Sequence, residues 1–348
     1  MRHHRDIGVG YGASASNRAG RRSVSTRSAH RGVIDEMLLF EDQRRSLTQL
    51  AIRQAIAATA GLPIEPQRHL ARSLVALAGF APVLRRRVRD NMRLALGPDV
   101  PARSESLYFR RVGWALGSSL STFHRGIGAT PVPDEVTFDD SVALLDRAVA
   151  EGHGVVVAAP HWCGHELAAA IVNRRHPSVY LVRQAPTAAR MARKLKWYHA
   201  LGVELALRPS RASTIKDAAA YLNILKRGKV LFITPDLLAD PGQGVEVQLF
   251  GRPARLYGGA FAIAIAARAP IMRASLNWRS DSSVSIRWER AAGSADNGDR
   301  AAAISAALQD WCRWFEDKLR ANPENWLFWL DKRWSRFLRA SRGACGAA

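Results

Sequence analysis

A chain of 348 residues, 47% of them apolar, can bury a large core and is too hydrophobic to be a disordered polymer. Its formal charge of +21 rests on 51 basic residues, only seven of them Lys. Arg-rich chains favour phosphate- and carboxylate-bearing partners, although a codon bias toward Arg and Ala gives the same composition.

In chain order, residues 1–32 are rich in Arg, Ser, Gly and His and read as a disordered basic arm. The arm has transit-peptide character without a signal-peptide core, and Met37 offers an alternative start. Residues 33–130 read as a helical, membrane-associating region. Leu38, Leu39, Leu47, Leu50 and Ile56 suit one or two helices before Gly61, and a further helical group follows Pro63 and Pro66 through Leu84. Residues 85–96 and 104–123 read as helices, separated by Gly97, Pro98 and Pro101. The apolar run from Leu70 to Leu84 is interrupted by Arg72 and Pro82 and followed by Arg85, Arg86, Arg87 and Arg89. It suits the interface of an anionic membrane, or equally a core helix with a solvated basic end. No stretch of about 18 uncharged apolar residues argues for a spanning helix.

The segment from Thr130 to Pro133 marks the entry to an α/β domain expected over 131–335, with 336–348 a tail. After a helix at 141–151, strands are predicted at 154–159, 178–183, 203–207, 229–234, 245–250, 270–278 and 283–289. Helices are predicted between them at 164–174, 187–200, 212–227, 258–268 and 300–320. The alternation implies an α/β fold with a mainly parallel central sheet flanked by helices, the later strands pairing antiparallel.

The stretch from Gly154 to Ala170 carries the chemistry. Val155, Val156, Val157, Ala158 and Ala159 form a strand buried on both faces, Pro160 ends it, and a helix begins near Glu166. His161 therefore stands at the carboxyl end of a strand, where open α/β folds place their sites. Glu166, five positions on, is expected to hold one ring nitrogen and leave the other as a base. A capping histidine and a favourable charge in a first helical turn explain the same pair. His161, Cys163, His165 and Glu166 have neither a Cys-x-x-Cys nor a His-Glu-x-x-His spacing, so no metal site is expected. The three cysteines, Cys163, Cys312 and Cys345, are too scattered for a disulfide framework, and Cys163 reads as a small loop residue or a nucleophile. Trp311, Trp314, Phe315, Trp326, Phe328, Trp329 and Trp334, interspersed with arginines, suit a sheet-packing face or a membrane headgroup level.

Several blocks in order resemble the lysophospholipid acyltransferase superfamily, and most closely its bacterial branch of late lipid A acyltransferases. His161 to Glu166 is similar to its His-x-x-x-x-Glu/Asp motif, and Arg87 to Leu94 to its basic helix with an Asn-Leu pair. Arg183 ends the strand that carries an arginine after the motif helix. Leu225 to Asp236 resembles the Arg-Gly-strand-Pro-Asp block, and Val245 to Pro253, with Phe250, Gly251, Arg252 and Pro253, the Phe-Phe-Gly-x-Pro segment. Pro323 to Trp329, with Arg333 and Trp334, resembles the closing Pro-Glu-Gln-aromatic and Arg-Trp signature. The chain departs from the pattern at Cys163, Gly164 and His165 inside the first motif, at Leu237 after the Asp, and at Asp331.

The resemblance implies transfer of a fatty acyl group from acyl carrier protein or coenzyme A to a hydroxyl or amine of a glycolipid or phospholipid such as a lipid A precursor. His161 would be the general base and Glu166 would orient it, beside an apolar slot for the lipid tail. Arg183 would face the oxyanion or a phosphate, and Asp236 would position Arg183 or the acceptor. Arg85, Arg86, Arg87, Arg89, Arg252 and Arg333 are the remaining candidates for substrate or membrane contact. No cofactor is implied beyond the thioester co-substrate. Partners are the acyl donor, a lipid acceptor and an anionic membrane surface, with no nucleic acid expected. The place of action is peripheral, on the cytoplasmic face of the inner membrane. Two other classes fit the residues: a thioesterase using the same corner with water, and a non-catalytic basic protein binding lipid or nucleic acid.

Overall fold

The computed structural model describes residues 64–125, 136–185, 187–209, 215–280, 283–292 and 299–340. The basic arm, the helices expected before Gly61, Met37 and the Thr130–Pro133 boundary lie outside the described residues.

Three helices come first: α1 (Ile64–Ala78), α2 (Pro82–Leu96) and α3 (Ser104–Arg125). Pro82 opens α2, where its fixed φ suits the first turn and its missing N–H costs nothing. Val88, Met92 and Ala95 then bury one face at helical spacing.

The alternating part follows as β1 (Val136–Phe138), α4 (Val142–Ala150), β2 (Val155–Ala158), α5 (His165–Arg175), β3 (Ser178–Arg183) and α6 (Ala188–Ala200). It continues as β4 (Glu204–Arg208), α7 (Ile215–Lys226), β5 (Val230–Ile233), β6 (Val245–Leu249), β7 (Arg252–Leu256) and α8 (Gly259–Ala267). β8 (Ile271–Ser280), β9 (Ser283–Arg290), α9 (Arg300–Ala321), two 3-10 turns (Pro323–Asn325 and Leu327–Leu330) and α10 (Lys332–Ala340) close the chain.

Seven strands form one sheet in the order β1-β9-β8-β2-β5-β3-β4. Every neighbouring pair is parallel except β8–β9. The mainly parallel α/β sheet is thus as the alternation implies. β2 and β5 lie side by side near its middle with all eight residues buried, which is why both read as uninterrupted apolar runs.

Two strands are absent from the sequence reading. β1 is only three residues long, too short for a period-two signal. β7 contains Pro253, which ordinarily speaks against a strand. It is tolerated because β7 lies in a separate antiparallel ribbon with β6, and its other pairing, at Arg255 and Leu256 with residues 238–239, falls beyond the proline. The turn joining them places Phe250 and Gly251 at φ 56° and 69°, the two positive dihedrals of a type I′ hairpin.

Val75, Val88, Met92, Tyr108 and Trp114 from the leading helices join the sheet residues in one hydrophobic cluster. The seven clustered aromatics from Trp311 to Trp334 are all buried there, so they pack the core and do not line a headgroup layer. α10 runs through residues 336–340 and buries Leu338, so the tail expected from 336 is helical as far as Ala340.

Candidate active site at the carboxyl edge of the sheet

β2 and β5 are in step, with Ala158 opposite Ile233. Three residues beyond each lie His161 and Asp236, and each is preceded by a proline. Equal lengths past an in-register pair bring the two side chains together. His161 Nδ1 lies 2.7 Å from Asp236 Oδ1, and the His161 amide donates to Asp236 Oδ2 at 2.9 Å. Trp326 Nε1 donates to the same Oδ2 at 2.8 Å. The carboxylate is fully buried and accepts three hydrogen bonds. Burial by itself would push its pKa up, but the His161 charge and these bonds hold it below the usual carboxylate value. A carboxylate on Nδ1 selects the Nδ1–H tautomer and leaves the lone pair on Nε2.

The expected pairing of His161 with Glu166 is not the one formed. Glu166 sits in the first turn of α5 and turns toward α6, where its oxygens accept from Trp197 Nε1 at 3.1 Å and Tyr198 OH at 2.9 Å. The reason is directional. Glu166 begins a helix that packs against the sheet, whereas Nδ1 of His161 faces the neighbouring strand end. Asp236, expected to hold Arg183 or the acceptor, instead holds the imidazole. The signal for this was in the sequence: a buried strand, one residue, a proline and a polar residue occur twice at equal length.

The motif loop is clamped by the closing segment. Cys163 N donates to Asn325 O, Leu327 N donates to His161 O, and Trp162 bridges Trp326 in antiparallel fashion. Phe328 lies against the His161 ring with centroids 4.4 Å apart. Gly164, at φ 98°, starts α5 from a left-handed conformation, and a Cβ there would come within 2.9 Å of Trp114. Glycine is therefore required by backbone and by space. Cys163 is buried and its thiol is pushed up to about 12, chiefly by burial, which leaves no thiolate for a nucleophilic role at neutral pH.

His165 is the residue that sequence reasoning left without a role. Its Nδ1 lies 3.0 Å from Trp162 O, so Nδ1 carries the proton, and its ring meets His161 edge-on with centroids 5.0 Å apart. Burial, with the neighbouring His161 charge second, lowers its pKa to about 4. Beneath it lies a gap of about 10 Å³ lined by Ala159, Trp162, Tyr180, Phe232 and Leu276. That is space for about one water, so this gap beneath His165 does not hold a lipid tail.

Arg183 ends β3, two strands from β2, hence about 10 Å away at strand spacing. It lines an open basin of about 890 Å³ together with Asp240, Arg255, Arg333 and Arg336. Arg208 of β4 is its register partner, lies over the Tyr257 ring at 4.5 Å, and has its pKa lowered first by burial and also by Arg183. Two adjacent arginines with no carboxylate bonded to either among the described residues make a fit for an anion. Arg333 lines the same basin but donates to Leu238 O and Asp240. Arg252 does not face it. Its guanidinium donates to Leu94 O at 3.0 Å and Leu338 O at 2.8 Å, tying α2 to α10, and that is a structural role. Arg85 and Arg89 share Glu105, while Arg86 is 3.8 Å from Asp90 and largely exposed.

Among the described residues, no three His, Cys, Asp or Glu side chains group as a metal site, and no helix is long and apolar enough to cross a membrane. A search of curated proteins found no match. Residues 45–336 match the family model for bacterial lipid A biosynthesis acyltransferase, and that span contains the paired His161 and Asp236, the clamp from Pro323 to Trp329 and the arginine basin. The chain belongs to the bacterial lipid A biosynthesis acyltransferase family and is an acyltransferase.

Proposed function

We propose that the protein moves a fatty acyl group from acyl carrier protein or coenzyme A to a hydroxyl or amine of a glycolipid or phospholipid of the lipid A precursor type. The observation that carries this reading is the buried His161–Asp236 pair at the carboxyl edge of the sheet. His161 Nε2 takes the proton of the acceptor as its oxygen or nitrogen attacks the thioester carbon. Asp236 fixes the tautomer and stabilises the imidazolium. The carbon–sulfur bond then breaks, and the imidazolium returns its proton to the departing thiolate. General-base assistance of this kind contributes about 10²–10⁴ in rate. The thioester supplies an already activated carbonyl, so the route calls on no cofactor.

Arg183, with Arg208 beside it, binds a phosphate of donor or acceptor in this scheme, and Arg333 and Arg336 complete the basin wall. Glu166 positions the motif helix through Trp197 and Tyr198. The small gap beneath His165 gives no support to a tail-length slot in this state, so the transferase assignment rests on the family match and the His161–Asp236 pair. Action is peripheral, at the cytoplasmic face of the inner membrane, a reading supported by the arginine-rich face of α2.

The test compares two neutralised carboxylates. Asp236→Asn should lower kcat by about 10²–10⁴ with little change in KM, and His161→Ala should abolish transfer. Glu166→Gln, which can still accept from Tyr198, should stay within about tenfold of the parent. Equal losses in Asp236→Asn and Glu166→Gln would return the orienting role to Glu166. Product analysis with lipid acceptors present separates transfer from thioester hydrolysis, because only a transferase makes acylated lipid.

A further inference from the structure

The described surface carries four exposed large hydrophobic side chains, and three of them lie within seven residues: Leu77 at 59%, Phe80 at 72% and Val83 at 71% exposed. They occupy the corner where α1 turns into α2. The corner is well formed. Gly79, Phe80 and Ala81 each donate a backbone hydrogen bond back to residues 76–78, and Gly79 rests on the Phe109 ring, where a Cβ would come within 2.7 Å. The apolar side chains are thus held outward by a rigid turn, and a cluster held this way marks an interaction surface.

Its surroundings are strongly basic. α2, preceded by Ala81 at the cap position, has no side-chain cap and no acidic residue in its first turn. Arg85, Arg86 and Arg87 follow near the positive end of the helix dipole, where cations are disfavoured unless an anion is at hand. Glu105 holds Arg85, whereas Arg86 reaches only the half-exposed Asp90 at 3.8 Å and is itself 83% exposed, and Arg87 has no carboxylate partner among the described residues. An apolar tip ringed by arginines and uncapped helix N–H groups complements one kind of surface, an anionic lipid bilayer.

We propose that the α1–α2 corner docks the protein on anionic membranes, with Leu77, Phe80 and Val83 entering the boundary between headgroups and acyl chains and Arg86 and Arg87 meeting the phosphates. The inference rests on the reading that the acceptor is a membrane lipid. It also gives that reading a direction. Asn91, about 12 Å along α2 from Val83 at helical rise, is bonded to Trp329 O and Ser335 Oγ of the closing segment that holds His161. Docking through the corner therefore positions the catalytic edge through one continuous helix.

The test is co-sedimentation of the full chain with phosphatidylcholine vesicles, with and without phosphatidylglycerol. The parent should bind the phosphatidylglycerol vesicles and bind phosphatidylcholine alone far more weakly. The triple variant Leu77→Ser, Phe80→Ser, Val83→Ser should lose roughly tenfold or more of that affinity while keeping its circular dichroism. Reversing charge with Arg86→Glu and Arg87→Glu should weaken binding to phosphatidylglycerol vesicles alone. The inactive His161→Ala variant should bind as the parent does, so docking and the catalytic reading fail separately. Unchanged vesicle binding in the triple variant overturns the proposal. So does a parent dimer that the triple variant converts to monomer without loss of vesicle binding, because a second copy then covers the corner.

Discussion

At the residue scale, the feature with the largest consequence is a buried imidazole that the fold keeps neutral. His165 is buried, and its pKa of about 4 lies below the ordinary value near 6.5. Between these values the unfolded chain binds a proton that the folded chain refuses, so stability falls as pH drops from about 6.5 to about 4. The expected loss is about 3 kcal/mol. Asp236 adds to it only further into acid, below the ordinary carboxylate value of about 4, where the unfolded chain takes up a proton that the folded carboxyl, held lower, still refuses. Urea unfolding at a series of pH values checks this. In His165→Asn, whose amide still reaches the Trp162 carbonyl, the slope between pH 6.5 and 4 should largely vanish. The residue types of the site were legible in the sequence: His161, Glu166, Arg183 and Asp236 were all singled out. What was not legible was which carboxylate meets the imidazole. Helical proximity favoured Glu166, and strand register decided for Asp236.

At the element scale, the active loop owes its shape to a segment more than 150 residues away in sequence. Pro323 to Trp329 lies antiparallel to residues 161–163, and Glu324 fastens that segment to α3 through Arg111 at 2.8 Å. Arg111 in turn lies over the Trp278 ring at 4.9 Å. Both partners of the ion pair are nearly buried, with side-chain exposures of 11% and 8%. Removing one should be costly because it strands the other charge. Arg111→Met is expected to lose about 3–5 kcal/mol of unfolding free energy, and adding Glu324→Gln should restore part of it. Chemical denaturation of the two variants measures both. The Pro-Glu block reads in sequence only as a signature. Its work as a clamp appears once α3 and the motif loop are in place.

At the scale of the whole molecule, the helices before the sheet are part of the same core. α1 packs along α3, and Trp114 of α3 sits against Gly164 at the start of the motif helix and edge-on to Trp278 of β8. A chain truncated to begin at residue 131 would expose Gly164, Trp278 and the face of the closing segment that meets Tyr108 and Arg111. It is expected to lack a cooperative unfolding transition and to bind a hydrophobic dye, where the full chain is expected to unfold in a single transition. A truncated chain with parent-like cooperativity would show that the sheet stands without these helices.

The sequence by itself determined the alternation of elements, the buried central strands and the strand-end position of His161. These are local properties, written in apolar runs, prolines and glycines over a few residues. The tertiary structure decided the partner of the imidazole, the narrowness of the gap beneath His165, the burial of the tryptophans and the outward display of Leu77, Phe80 and Val83. Each of these depends on register between strands or on contact between distant segments, and one chain's pattern of residues carries no record of which distant neighbour it will meet.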